Sequence, residues 1–378
     1  MTSPLRPRVS LLVVVAILLG VSPGHALINL DGQRNQLFVF GNVAFGWDSN
    51  IFSESSGRGD FTVNGAVGAE IKRRAGIIAV DAVGKMSYSA YGKYSHENSL
   101  NPNFQVEFNK STGRTTGSLT ISAFRESRSD SAVNLRTNSW NFPVGLNLKY
   151  PVNDKYYLTS ETSYLRRRYV DNTSLANLTD YSEGVDIFYV YTSKLDLMGG
   201  YRIRVSQTSK GSDTYDHWFN VGATGGLFAK LNGSVRVGYQ IRDVADNANT
   251  SYSHFNALAS LSWPVTRKLN LTGSVSRDFN TIATGASVDS LSASLHASYA
   301  YSRKIEFSAG VAAGQNRFLG TPPPARRDTF FSFDAGATYR MNEHLTVGAT
   351  YTYFRNWSTL AFSDFDRQGF TLDISSRY

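Results

Sequence analysis

Cysteine is absent from all 378 residues, which excludes a disulfide framework, a thiolate metal site and a cysteine nucleophile. Long apolar runs are almost absent as well. The one continuous run, Leu11 to Leu19, is far short of the roughly 20 residues a spanning helix needs. Arg6 and Arg8 precede it, and Ser22-Pro23-Gly24-His25-Ala26 follows. A charged start, a short apolar stretch and a small-x-small site form the grammar of an export signal. Residues 1–26 are therefore read as a signal peptide cleaved after Ala26, and 27–36 as a short periplasmic segment. Mean hydropathy is −0.26, so no later segment is expected to cross a membrane as a helix. Nor is there a concentrated charge. The net +8 is scattered, with no basic block longer than Arg166-Arg167-Arg168, and this excludes a nucleic-acid footprint.

What the chain has instead is aromatic residues, 21 Tyr and 23 Phe, set in strict alternation. Leu37, Val39, Gly41, Val43, Phe45 and Trp47 share one side of a first strand. Phe61, Val63, Val67 and Ile71 share one side of a second, and Arg73-Arg74-Ala75-Gly76 turns the chain after it. The same unit recurs to the end: period-2 strands bounded by turn residues. Tight turns and longer polar loops alternate throughout, the asymmetry of outer-membrane barrels with short periplasmic turns and longer outer loops. About 18 strands are expected over 37–378. The fold class is thus all-β, a transmembrane antiparallel up-and-down barrel. Strands entering a tight turn, or the terminus, end in Tyr150, Tyr191, Phe228, Trp263, Tyr301, Tyr339 and Tyr378. At near-constant spacing these would form one aromatic girdle. A propeller blade needs four strands in a period that here holds two.

The opposite strand faces are polar. Lys149, Asp186, Asp196, Arg202, Arg204, Arg236, Asp334 and Arg340 would each need a partner in a dry core. Against a water-filled lumen they cost little. Barrels of this size leave an aqueous passage, so a channel is the first functional reading. A surface scaffold or adhesive barrel acting through its outer loops is the second. Arg166, Arg167 and Arg168 would form a basic cluster on the outer rim, placed to attract anionic sugars or lipopolysaccharide phosphate or simply to pair with outer-leaflet lipid. The outer loops look too short to fold into the pore. The lumen is therefore expected to be open, narrowed by side chains alone, or closed by another protein. No catalytic constellation stands out: His296 among serines lacks the third group and oxyanion site a hydrolase needs. No cofactor or metal is expected, since Asp48 with Asp60, and Asp364 with Asp366, read as solvated loop residues.

Gly46-Trp47-Asp48-Ser49-Asn50-Ile51-Phe52 resembles the strand opening of the family described as putative β-barrel porin 2, which includes barrels encoded with exopolysaccharide systems. Tyr252 and Phe365 begin strands in similar settings. The resemblance implies an outer-membrane location and no catalytic residues, and it extends to polysaccharide export with periplasmic export proteins. The ending Phe370, Leu372, Ile374 and Tyr378 is similar to the signal read by the barrel-assembly machinery. Ser376 stands where that signal expects an apolar residue.

Overall fold

The computed structural model describes residues 28–29, 34–74, 76–170, 172–246, 250–320 and 325–378. The expected signal 1–26 and its cleavage site lie outside the described residues. Among the described residues, eighteen long antiparallel strands close into one barrel. We number them β1 (Asn35–Asp48), β2 (Asp60–Arg73), β3 (Ala79–Tyr91), β4 (Ser99–Lys110), β5 (Thr116–Asp130) and β6 (Leu135–Pro151). Then come β7 (Tyr156–Val170), β8 (Leu178–Val190), β9 (Leu195–Thr208), β10 (Thr214–Phe228), β11 (Leu231–Val244) and β12 (Ser251–Pro264). The last six are β13 (Leu269–Thr281), β14 (Ser287–Ala300), β15 (Ile305–Phe318), β16 (Arg327–Arg340), β17 (Leu345–Ser358) and β18 (Phe365–Arg377). Ile28–Asn29 adds a short backbone pairing to Gln36 and Leu37.

Each strand pairs with its sequence neighbours, and β18 pairs with β1 from Gly369↔Asp48 to Arg377↔Phe40. Reciprocal backbone bonds of 2.9 Å between Val39 and Tyr378 finish that seam. Ser376, lying between Gly41 and Leu345 in register, is only 5 % exposed.

The alternation sorts the faces as the sequence implies. Large apolar side chains that a soluble domain would bury, such as Phe61, Ile187, Phe219 and Val221, stand outside, where lipid would solvate them. The girdle residues lie at the tight-turn edge, and all but the partly covered Tyr378 are exposed. Phe228 reaches it through a bulge between Gly226 and Phe228, which shifts the side-chain period by one residue. Tyr378 stacks on His344 of the neighbouring turn, ring centroids 4.8 Å apart. Glu183 breaks the outer pattern. Ser160 and Thr162, also on the outer face, donate to its two carboxylate oxygens at 2.8 and 2.5 Å.

Two hairpin ends leave the wall on the loop side. β4 and β5 pair only as far as Asn103↔Phe124, although each continues along its other neighbour. β12 and β13 likewise stop at Ala257↔Arg277, while β12 stays on β11 to Asp243↔Ser251 and β13 stays on β14 to Thr281↔Ser287. The freed ends bend over the lumen.

Candidate functional site: a charged lumen under an inturned lid

The lid is defined by bonds between parts of the wall that are far apart around the barrel. Arg326, just before β16, donates to Ala132 O at 2.6 Å and Ser131 O at 3.0 Å in the β5–β6 connection. Asn134 donates to Ser53 O in the β1–β2 loop at 2.6 Å and accepts from Ser363 Oγ at 2.5 Å. Such contacts are possible only across the mouth. They are supported from below, because Asp328 holds the Arg326 guanidinium, with Nη2 to Oδ2 at 2.6 Å. Phe318 lies beneath that guanidinium at 4.1 Å. In the β1–β2 loop, burial opposes the charge on Glu54. Hydrogen bonds from Arg58 and Ser56 outweigh it and hold the carboxyl below its usual range.

The expectation of a lumen left open or narrowed by side chains alone is therefore corrected. Loop length alone was the wrong measure, because strand ends that leave the wall carry short loops to one another across the mouth. The β5–β6 connection that takes part is only residues 131–134.

The second half of the lid sits on the lumen charges. Asp216 accepts both Nε and Nη2 of Arg242 at 2.7 Å, and Nε of Arg204 at 2.8 Å. Arg242 and Asp216 are fully buried. Arg204 also reaches Asp278 on the inturned β13 at 3.2 Å, and Arg242 donates to Asn280 O at 3.1 Å. Ala176 N donates to Ala283 O at 2.7 Å, so the β13–β14 tip reaches the β7–β8 loop. Gln240 links Asp278 to His254, at 2.9 Å on each side. These are charge-assisted bonds in a covered site, where partners must be matched or the burial costs several kcal/mol.

Of the residues singled out in the sequence, the structure brings Asp186, Arg202, Arg204 and Arg236 onto one stretch of lumen wall. Arg236 pairs with Asp186 at 2.9 Å, and Arg202 pairs with Glu161. Lower in the barrel, Asp196 accepts Tyr157 OH at 2.7 Å, and Lys149 Nζ lies 3.8 Å from the same ring. Asp334 and Arg340 lie apart, on β16. Asp334 packs over Gly310 of β15, and Arg340 is exposed at the turn edge. The Arg166–Arg168 cluster divides by strand parity: Arg167 turns inward to Asn141 Oδ1 at 2.8 Å, whereas Arg166 and Arg168 stay exposed on the other face.

Asp216, Arg242, His254, Asp278 and Asp289 were not singled out. Each sits on an ordinary-looking strand end, and no spacing signals that these ends converge. The loop carboxylates are engaged: Asp60 accepts the Phe61, Lys93 and Tyr94 amides, and Asp48 pairs with Arg367.

Fold and lumen together define a closed antiparallel β-barrel with the fold of outer-membrane porins. Residues 201–378 match the family described as "Putative beta-barrel porin 2", the family suggested by Gly46–Phe52, although that stretch lies outside the match. No curated protein matches the chain. Among solved structures, OpdO of Pseudomonas aeruginosa superposes with a TM-score of 0.52 at 12% identity, covering 94% of this chain and 98% of that one. OpdK of the same organism, solved with vanillate, gives 0.50 at 10% identity, covering 90% and 99%. The FrpB iron transporter of Neisseria meningitidis gives 0.50 at 11%, covering 89% of this chain, which spans 64% of FrpB. These likenesses are of fold.

Proposed function

We propose that the protein is a constricted, water-filled channel that passes small polar solutes across the outer membrane. The observation that carries this reading is the lumen face of β7–β11, where charges are paired yet line a continuous polar wall beneath the lid. Pore width and lumen charge then select the solute. Export of a polysaccharide through the same barrel, with periplasmic export proteins below it, is the second reading. It requires the β5–β6 and β13–β14 ends to swing outward. We also read Arg166 and Arg168 as contacts for lipopolysaccharide phosphate, and the strand ending at Tyr378 as the segment handed to the barrel-assembly machinery.

The test is single-channel recording on purified protein, wild type and the double variant Asn134→Ala/Arg326→Ala, which cuts the ties across the mouth. A small conductance that rises in the variant is expected. Silence from both would overturn the channel and leave a scaffold acting through its outer loops.

A further inference from the structure

Charge that is scattered along the sequence is gathered at one end of the barrel. The eight tight turns together hold nine Lys or Arg and two carboxylates, Asp154 and Glu343. The nine longer connections at the opposite end hold four Lys or Arg against six Asp or Glu. The turn edge is thus +7 and the loop edge −2, in a chain of net +8.

Six consecutive turns repeat one detail. The last residue before the next strand is, in order around the wall, Lys155, Lys194, Lys230, Lys268, Lys304 and His344. All six are exposed. The ion pairs at this edge join Glu70 and Asp81 to Lys72, Arg74 and Arg377. Among the described residues, none of the five lysines takes part in one. Two of them meet carbonyls of the next turn, Lys268 Nζ with Tyr301 O at 3.1 Å and Lys304 Nζ with Met341 O at 3.5 Å. A carbonyl leaves the ammonium charge unanswered.

The height of this ring is fixed by the backbone. Val190 N, Gly226 N, Ala300 N, Arg340 N and Arg377 N donate to the carbonyls of Lys155, Lys194, Lys268, Lys304 and His344 at 2.7–3.0 Å. Each of those donors lies within two residues of a girdle aromatic: Tyr191, Phe228, Tyr301, Tyr339 or Tyr378. The cations are therefore built beside aromatic residues at the level where such rings meet lipid headgroups. Neighbouring positions are two strands apart, about 10 Å. A lysine there lays its alkyl stem on the apolar edge and keeps its ammonium among the headgroup phosphates. His344 is covered by its stack on Tyr378, which leaves five lysine positions.

We propose that the turn edge is a docking belt for anionic phospholipid of the periplasmic leaflet. Each lysine and the girdle residue beside it take one lipid, the phosphate on the ammonium and the upper acyl chain against the aromatic ring. An acidic soluble protein would meet the same charge from below, yet it would gain nothing from the aromatic residue paired with each cation. The belt lies at the opposite end of the wall from Arg166 and Arg168, and it holds whether or not the lumen conducts.

The test uses the purified full chain in a neutral detergent, titrated with phosphatidylglycerol or with phosphatidylcholine of the same acyl chains. Bound lipids are counted by native mass spectrometry. Wild type should retain several phosphatidylglycerol molecules and favour them several-fold over phosphatidylcholine. The preference should fall to near parity in Lys155→Gln/Lys194→Gln/Lys230→Gln/Lys268→Gln/Lys304→Gln, and persist when the same five positions carry Arg. The comparison of the two lipids on wild type decides the matter even if the glutamine variant does not assemble. Equal retention of both lipids by wild type, or a preference that survives the five glutamines, would overturn the belt. Equal retention together with capture of poly-glutamate by wild type, and not by the variant, would assign the ring to an acidic periplasmic protein instead.

Discussion

Asp216 shares its two oxygens between two guanidinium groups, so removing either leaves a buried charge only half answered. Arg242→Ala should cost about 3 kcal/mol, the low end of the range for breaking a buried pair, since Arg204 remains. The measurement is the temperature at which the folded band disappears in heat-modifiable gel migration. It should fall in Arg242→Ala and change little in Arg340→Ala, whose side chain stands exposed at the turn edge. Glu183 predicts the opposite sign. A carboxylate on the outer face is unfavourable in lipid, by less than the cost of a basic residue there. Glu183→Leu should therefore raise the same transition, by something on the order of 1 kcal/mol. The arginine triplet gives a third comparison. Arg166→Gln with Arg168→Gln should weaken lipopolysaccharide binding in a co-purification assay, and Arg167→Gln should not, because Arg167 already faces Asn141.

Strands were legible in the sequence because their signal is periodic and local: an apolar residue every second position fixes both the element and the face. That is why Phe370, Leu372 and Ile374 could be assigned an outer face from the sequence. The same rule fails at Phe279 and Asp289. Both keep outward parity along their strands, but β12 no longer pairs with β13 at Phe279, and His254 and Arg277 close over Asp289, so parity no longer says what each side chain meets. Nothing in Arg277-Asp278-Phe279-Asn280 marks the bend, since its cause is the distant cluster of Arg204, Gln240 and Arg242. The lid was hidden for the same reason. Ser131, Ala132 and Asn134 are unremarkable turn residues until Arg326 and Ser363 reach them from across the mouth. At this scale Asn280→Pro should loosen the inturned end, because Asn280 is in ladder register with Val288 of β14 and proline has no N–H to give to that pairing. Substituting Ala283 by Asp should disrupt the tip, since Ala283 is 3 % exposed against the β7–β8 loop. A larger single-channel conductance would report it.

For the molecule as a whole, seventeen of the eighteen strand junctions join neighbours in sequence, and the last joins Phe40 to Arg377. The two kinds of junction place very different demands on a chain that is still folding. Hairpins can form wherever two adjacent strands are present, at little entropic cost. Closure must gather nearly the whole chain, although each doubling of the enclosed length adds only about 0.6 kcal/mol. Contacts of such long range form slowly, so a curved, open sheet with two free edges should precede the barrel in time. Tyr378 then governs a rate more than a stability. Its removal takes away the stack on His344 and the last backbone pair with Val39, and it should lengthen the lifetime of the open sheet during refolding into vesicles.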